Sequence, residues 1–142
     1  MLLHMPTSAG KTRTAMQIIA THLRSHEPAL VVWLAYSEEL CEQAATEFER
    51  AWLHLGDRDV HVHRFWGAQP LELEQARDGI VVASLTKLYR AAENELQFIG
   101  TLAGRASLVV IDEAHQAIAA TYRLVLDTLV SQGRSAALLG LT

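Results

Sequence analysis

Short, continuous apolar runs alternate with longer segments of helical periodicity along this chain, and that alternation restricts its fold more than any other feature. "ALVVWLAY" (29–36), "GIVVASL" (79–85) and "SLVVID" (107–112) carry almost no polar alternation. Such runs suit strands covered on both faces, as in a parallel sheet. "MLLHM" (1–5), ending at Pro6, reads as a further strand, "VHVHRFW" (60–66) as a half-exposed one, and "SAALLGLT" (135–142) as the last. Between them, Ala15, Ile18, Ile19 and Leu23 recur at helical spacing, in a helix that ends before Pro28. Ser37 suits an N-cap, and Cys41, Ala44, Ala45, Phe48, Trp52 and Leu55 form the buried stripe of a helix stopped by Gly56. Residues 67–78 read as a loop or a short helix. Thr86 to about Leu102 is largely helical, and a last helix runs to about Ser131. Helices long enough to cross over favour parallel pairing and a layered α/β fold. No linker rich in Pro, Gly or Ser divides the 142 residues, so one domain is expected over 1–142.

Composition removes several classes. Hydrophobic residues make up 50%, too many for a disordered chain. The net charge of -4 gives no bulk basic field for nucleic acid, although a local groove needs only a few Lys and Arg. Cys41 is the only cysteine, so no internal disulfide forms, and a reducing, cytoplasmic setting is the simplest expectation. No apolar run approaches the length of a membrane span.

Two motifs carry chemistry. In "MPTSAGKTRTA" (5–15), a strand feeds a glycine turn and then a helix. Backbone N–H groups and the positive helix end then converge on one point, a ready cradle for phosphate. Gly10 is expected to permit close approach and a positive φ. Lys11 supplies an ammonium for the phosphate oxygens, and the Thr12 hydroxyl is a ligand for Mg²⁺. The tripeptide alone occurs by chance in roughly one chain of this length in fifteen, and Met5 stands where the longer phosphate-loop pattern has Gly. The second motif restores specificity. "LVVIDEAH" (108–115) ends an apolar strand in two carboxylates, at the sheet edge where α/β proteins bind ligands. Asp112 there can hold hydrated Mg²⁺, and Glu113 can polarise an attacking water.

With these residues the chain resembles the first RecA-like motor domain of superfamily-two helicases and translocases, of the DEAH-box kind. "PTSAGKT" (6–12) is similar to that family's P-T-G-x-G-K-T, which needs no leading glycine; Ser8 replaces the usual Gly. "DEAH" (112–115) matches in full. "YSEELCEQ" (36–43) and "VVASLTKL" (81–88) resemble its nucleic-acid-contacting segments, and "LLGLT" (138–142) the start of its final motif. The resemblance implies a P-loop NTPase of three layers around a mostly parallel sheet, with ATP and Mg²⁺ as cofactors. It places the nucleotide on Thr7, Ser8, Ala9, Gly10, Lys11 and Thr12. Magnesium falls to Thr12 and Asp112, and the base role to Glu113. His115 and Thr142 couple the site to the final strand, and Ser37, Thr86 and Lys87 contact DNA or RNA. An upstream adenine-reading segment and a second motor domain with its arginine finger are also implied. Neither lies within 1–142, so a piece of a motor, cut at both ends and nearly inactive alone, is expected.

Three functions remain open on these residues: a helicase, a duplex-DNA translocase of a restriction or defence complex, and a nucleotide-binding module that does not turn over. Intact Lys11, Thr12, Asp112 and Glu113 argue against the last. His54, His61 and His63 read as polar surface rather than a metal site. Trp33 and Trp52 read as packing, and Trp66 is open between packing and base stacking. Lys87 and Arg90 are open between phosphate contact and an exposed helix face. Cys41 reads as buried and inert.

Overall fold

The computed structural model describes residues 2–3, 8–113, 120–131 and 137–141. Six strands make one sheet: β1 (Leu2–Leu3), β2 (Leu30–Ala35), β3 (His61–Phe65), β4 (Gly79–Ser84), β5 (Ala106–Ile111) and β6 (Ala137–Leu141), in the spatial order β1-β6-β5-β2-β4-β3. Every pairing in it is parallel. The helices are α1 (Ser8–Ser25), α2 (Glu38–Leu55), α3 (Leu85–Asn94), α4 (Leu96–Arg105) and α5 (Ala120–Ser131), with a 3₁₀ turn at Leu73–Gln75.

The unbroken apolar runs have the cause expected of them. Along β2 alternate residues face opposite layers. Val31, Trp33 and Ala35 pack with Ala15, Ile19 and Leu23 of α1 and with Ala44 and Phe48 of α2. Leu30, Val32 and Leu34 pack with Leu88 of α3, Leu102 of α4 and Leu129 of α5. Both sets are fully buried, which a strand with one polar face would not survive. The result is an α/β/α sandwich. Among the described residues β3 has only β4 beside it, and its residues shade from exposed at His61 to buried at Phe65. Trp66 is 8% exposed and packs in the layer of α1 and α2, which settles it as a core residue.

The two ends of the strands are built differently. At the N-terminal edge, Arg58 grips Asp78 with Nε to Oδ2 at 2.8 Å and Nη2 to Oδ1 at 2.7 Å, while Asp78 Oδ1 accepts from Ala29 N at 3.0 Å. The Arg58–Asp78 clamp joins the loops leading into β2, β3 and β4. Gly79, with φ +137°, lies so close to His61 that a Cβ there would overlap the His61 carbonyl. At the C-terminal edge, strands run straight into helix starts. Ser37 Oγ accepts from Leu40 N at 3.2 Å, and Ser84 Oγ from Lys87 N at 3.3 Å, so α2 and α3 both begin on serine caps.

One expectation changes. The first long helix begins at Ser8 rather than after Gly10. Gly10 is therefore helical and takes no left-handed turn. The largely helical stretch from Thr86 consists of two helices that meet at Glu95. Among the described residues no helix is long and apolar enough to cross a membrane.

Candidate nucleotide site

Lys11 and Thr12 lie 100 to 102 residues from Asp112 and Glu113 in sequence. The fold brings all four to one small cavity of about 80 Å³, walled also by Trp33 of β2 and by Leu40, Gln43 and Ala44 of α2. Ser8, Ala9 and Gly10 form the first turn of α1, at the positive end of its dipole. Lys11 follows in that turn and is only 7% exposed.

The carboxylates arrive on the end of β5. Asp112 N donates to Leu34 O at 2.8 Å, which extends the β5–β2 ladder one residue past the strand. Asp112 is thus held by the sheet and is 8% exposed. Burial, and then the charge of Glu113, push its carboxyl above the usual range, against the pull of Lys11. A buried carboxylate that is costly to ionise gains from any cation placed beside it. Its hard oxygen, with the Thr12 hydroxyl, is the donor chemistry that suits Mg²⁺.

Glu113 does not continue the ladder. Its φ of +53° makes it the only non-glycine residue in the left-handed region among those described. That conformation costs a bulky residue about 1–3 kcal/mol, and such residues cluster at functional sites. The turn swings the Glu113 carboxylate back toward α1, where Oε1 lies 3.6 Å from Lys11 Nζ. Cys41 is fully buried, its thiol pushed up to about 12 by burial first and then by the charges of Asp112 and Glu38, which leaves it an inert packing residue.

Ser37, Thr86 and Lys87 also meet. With Tyr36, Glu38 and Arg90 they line an open depression of about 390 Å³ beside the ends of β2 and β4. The starts of α2 and α3 both face this region. Lys87 is committed: Nζ donates to Gly67 O at 2.8 Å and to Gln69 O, and stands 4.5 Å from the Phe65 ring centroid. Burial lowers its pKa. Arg90 is the exposed cation of the depression. Thr7, His115 and Thr142 lie outside the described residues.

Two wall residues escaped sequence reasoning. Gln43 reads there as part of a nucleic-acid segment, yet it lines the cavity of Lys11 and Asp112. Trp33 reads as packing, and it is fully buried, but it also floors that cavity. Residue spacing on α2 marks its buried stripe and carries no signal for which site the remaining face meets.

A parallel α/β/α sandwich with Lys11 and Thr12 in the first turns of a helix, facing two acidic residues at the C-terminal strand edge, is the architecture of a RecA-like domain of the superfamily-two helicases. The chain belongs to the family described as "Type III restriction enzyme, res subunit", whose profile matches residues 1–142. Solved structures agree. The helicase domain of Pyrococcus furiosus Hef is 28% identical with a TM-score of 0.71, over 99% of this chain and 28% of that one. The helicase UvsW from bacteriophage T4 is 16% identical, with a TM-score of 0.70 over 99% and 45%. Mss116p, solved with single-stranded RNA and AMP-PNP, is 18% identical, with a TM-score of 0.74 over 99% and 31%. The chain therefore spans less than half the length of these relatives. No curated protein matches it.

Proposed function

We propose that this chain is the ATP-binding motor domain of a DEAH-box-type helicase or translocase, which couples Mg-ATP hydrolysis to movement on nucleic acid. The observation that carries the reading is the convergence of Lys11, Thr12, Asp112 and Glu113 on one cavity at the C-terminal edge of a parallel sheet. In this reading the first turn of α1 receives the phosphates, Lys11 neutralises the β- and γ-oxygens, and Thr12 and Asp112 hold the magnesium. The metal supplies charge neutralisation to the transferring phosphoryl group. Glu113, released from Lys11 by the incoming phosphate, accepts the proton of the attacking water. The depression at Ser37, Thr86 and Arg90 receives the nucleic-acid backbone. Two helix N-termini and one guanidinium suit phosphate, and Tyr36, 47% exposed, offers a ring beside them.

The family match favours one form of this task, a motor moving on duplex DNA within a restriction complex. Calorimetry of Mg-ADP against wild type and Lys11→Ala tests the nucleotide site. A loss of roughly tenfold or more in affinity is expected from removing a buried charge-assisted contact; equal affinity in the two proteins overturns the assignment. Binding of labelled single- and double-stranded DNA and RNA then selects the track, and Arg90→Glu is expected to weaken whichever is bound.

A further inference from the structure

Strand β3 ends the sheet on one side, and among the described residues no strand lies along its outer edge. His61 N donates to Asp78 O, and from that bond the parallel register with β4 runs on to Phe65. In such a ladder alternate residues bond the same neighbour. His63 and Phe65 therefore pair with β4, while Val62 and Arg64 turn their N–H and C=O groups outward. An open edge is a template for a further strand, and proteins guard it with charge, Pro or a bulge. The guard here is Arg64. Its Nη1 leans on Val62 O at 3.5 Å, and Glu49 Oε1 of α2 holds its Nη2 at 2.5 Å.

The edge is hollow on both faces of the sheet. Val60 and Val62 face the layer of α2, and Phe65 faces that of α3 and α4. On the α2 side a depression of about 560 Å³ is lined by Phe48, Trp52, Val60 and Val62, with Leu53, 83% exposed, beside them. On the other side a depression of about 300 Å³ lies among His63, Gln69, Pro70 and Glu72. Val62 borders both. Successive side chains of a strand laid along β3 point to opposite faces, so each depression takes one set.

Charge selects the strand. Glu49, Asp57 and Asp59 line the larger depression and Glu72 the smaller, against the guanidiniums of Arg58 and Arg64. Arg58 is taken up by Asp78. A second copy set edge to edge would bring these carboxylates against their own kind, which is unfavourable across strands. A segment that alternates Lys or Arg with apolar residues matches them, and offers Glu49 a cation when Arg64 swings off Val62 O.

We propose that the outer edge of β3 is a docking site for an extended basic segment of a partner protein, which joins the sheet as a strand beside β3 and seats an apolar side chain against Leu53 and Val60. Backbone hydrogen bonds supply the affinity and the two depressions the selectivity.

The test titrates the chain with a fluorescein-labelled peptide of alternating Val and Lys, about eight residues long, enough to cover β3. A counterpart with Glu in place of Lys is expected to bind at least about tenfold more weakly. Methylating every N–H of the Lys peptide keeps its side chains and removes its donors to Val62 O and Arg64 O. Each such bond is worth about a factor of five, so a loss of about tenfold or more is expected. On binding, amide hydrogen exchange is expected to slow at Val62 and Arg64 and to stay unchanged at His63. Asp59→Lys is expected to weaken the Lys peptide about threefold, and Glu39→Lys, at the far end of α2, to leave its affinity unchanged. Arg64→Ala uncovers Val62 O and is expected to tighten binding about threefold, a gain no misfolded variant shows. No binding to the folded wild type, undiminished binding after methylation, or equal binding of the Glu peptide overturns the proposal. So does a wild type that self-associates with its Val62 and Arg64 amides already protected, since a second copy is then the occupant.

Discussion

Removing Asp78 unties the loops at the N-terminal edge of the sheet, and its cost can be worked from the geometry. Its carboxylate takes two charge-assisted hydrogen bonds from Arg58, at 2.7 and 2.8 Å, and one from Ala29 N at 3.0 Å. The Arg58 and Asp78 side chains are 12% and 25% exposed, between the surface and buried limits. Exposed pairs contribute about 0.2–1 kcal/mol, and breaking a fully buried pair costs about 3–5 kcal/mol. Asp78→Ala also strands the N–H of Ala29, a residue 2% exposed, at a further cost of about 1–3 kcal/mol. The combined loss should be about 3 kcal/mol, or roughly 10 °C in Tm for a domain of this size. Asp78→Asn keeps an acceptor for Ala29 and should cost about 1 kcal/mol. Hydrogen bonding to Arg58, chiefly, holds the Asp78 carboxyl below its ordinary pKa. Its contribution is therefore present above the ordinary carboxylate range and lost as pH falls through the lowered value. Equilibrium urea unfolding of wild type, Asp78→Ala, Arg58→Met and the double variant closes a cycle. A single-variant loss below about 0.5 kcal/mol, or no coupling between the two sites, refutes the reasoning.

Gly79→Ala forces a Cβ into the His61 carbonyl at a φ only glycine tolerates; urea unfolding should show a loss of roughly 3 kcal/mol or more. Asp112→Asn should melt above the wild type near neutral pH in the absence of metal, because a raised folded pKa means the ionised form opposes folding there. The difference should vanish in acid, once Asp112 is protonated in both states. The same variant should lose magnesium-dependent nucleotide binding, and in the wild type that binding should weaken as pH falls through the raised value; calorimetry across pH checks both. Ser37→Ala removes the cap of α2 and should cost about 1 kcal/mol in thermal unfolding.

The fold was legible in the sequence because its signals are local. Unbroken runs such as "ALVVWLAY" carry the mark of burial on two faces, and serine before a helical stripe marks where α2 starts. That Lys11, Thr12, Asp112 and Glu113 share one cavity was legible as well, because a short strand before a helix and an apolar strand that ends in two carboxylates put both pairs at the same edge of a parallel sheet. Other features depended on partners distant in the chain. Gly10 reads as a turn glycine, but the helix reaches back to Ser8, and among the described residues the left-handed non-glycine residue is Glu113, whose carboxylate faces Lys11. Lys87 is open in sequence between phosphate contact and an exposed helix face, and the loop carbonyls of Gly67 and Gln69 take it instead. Arg58 and Asp78 reveal nothing in sequence, since only strand order brings their loops together. Gln43 was placed by the packing of α2 on β2, which turns one helix toward two sites; the 3.6-residue period determines a helix's buried stripe, and only tertiary structure decides what its flanks meet.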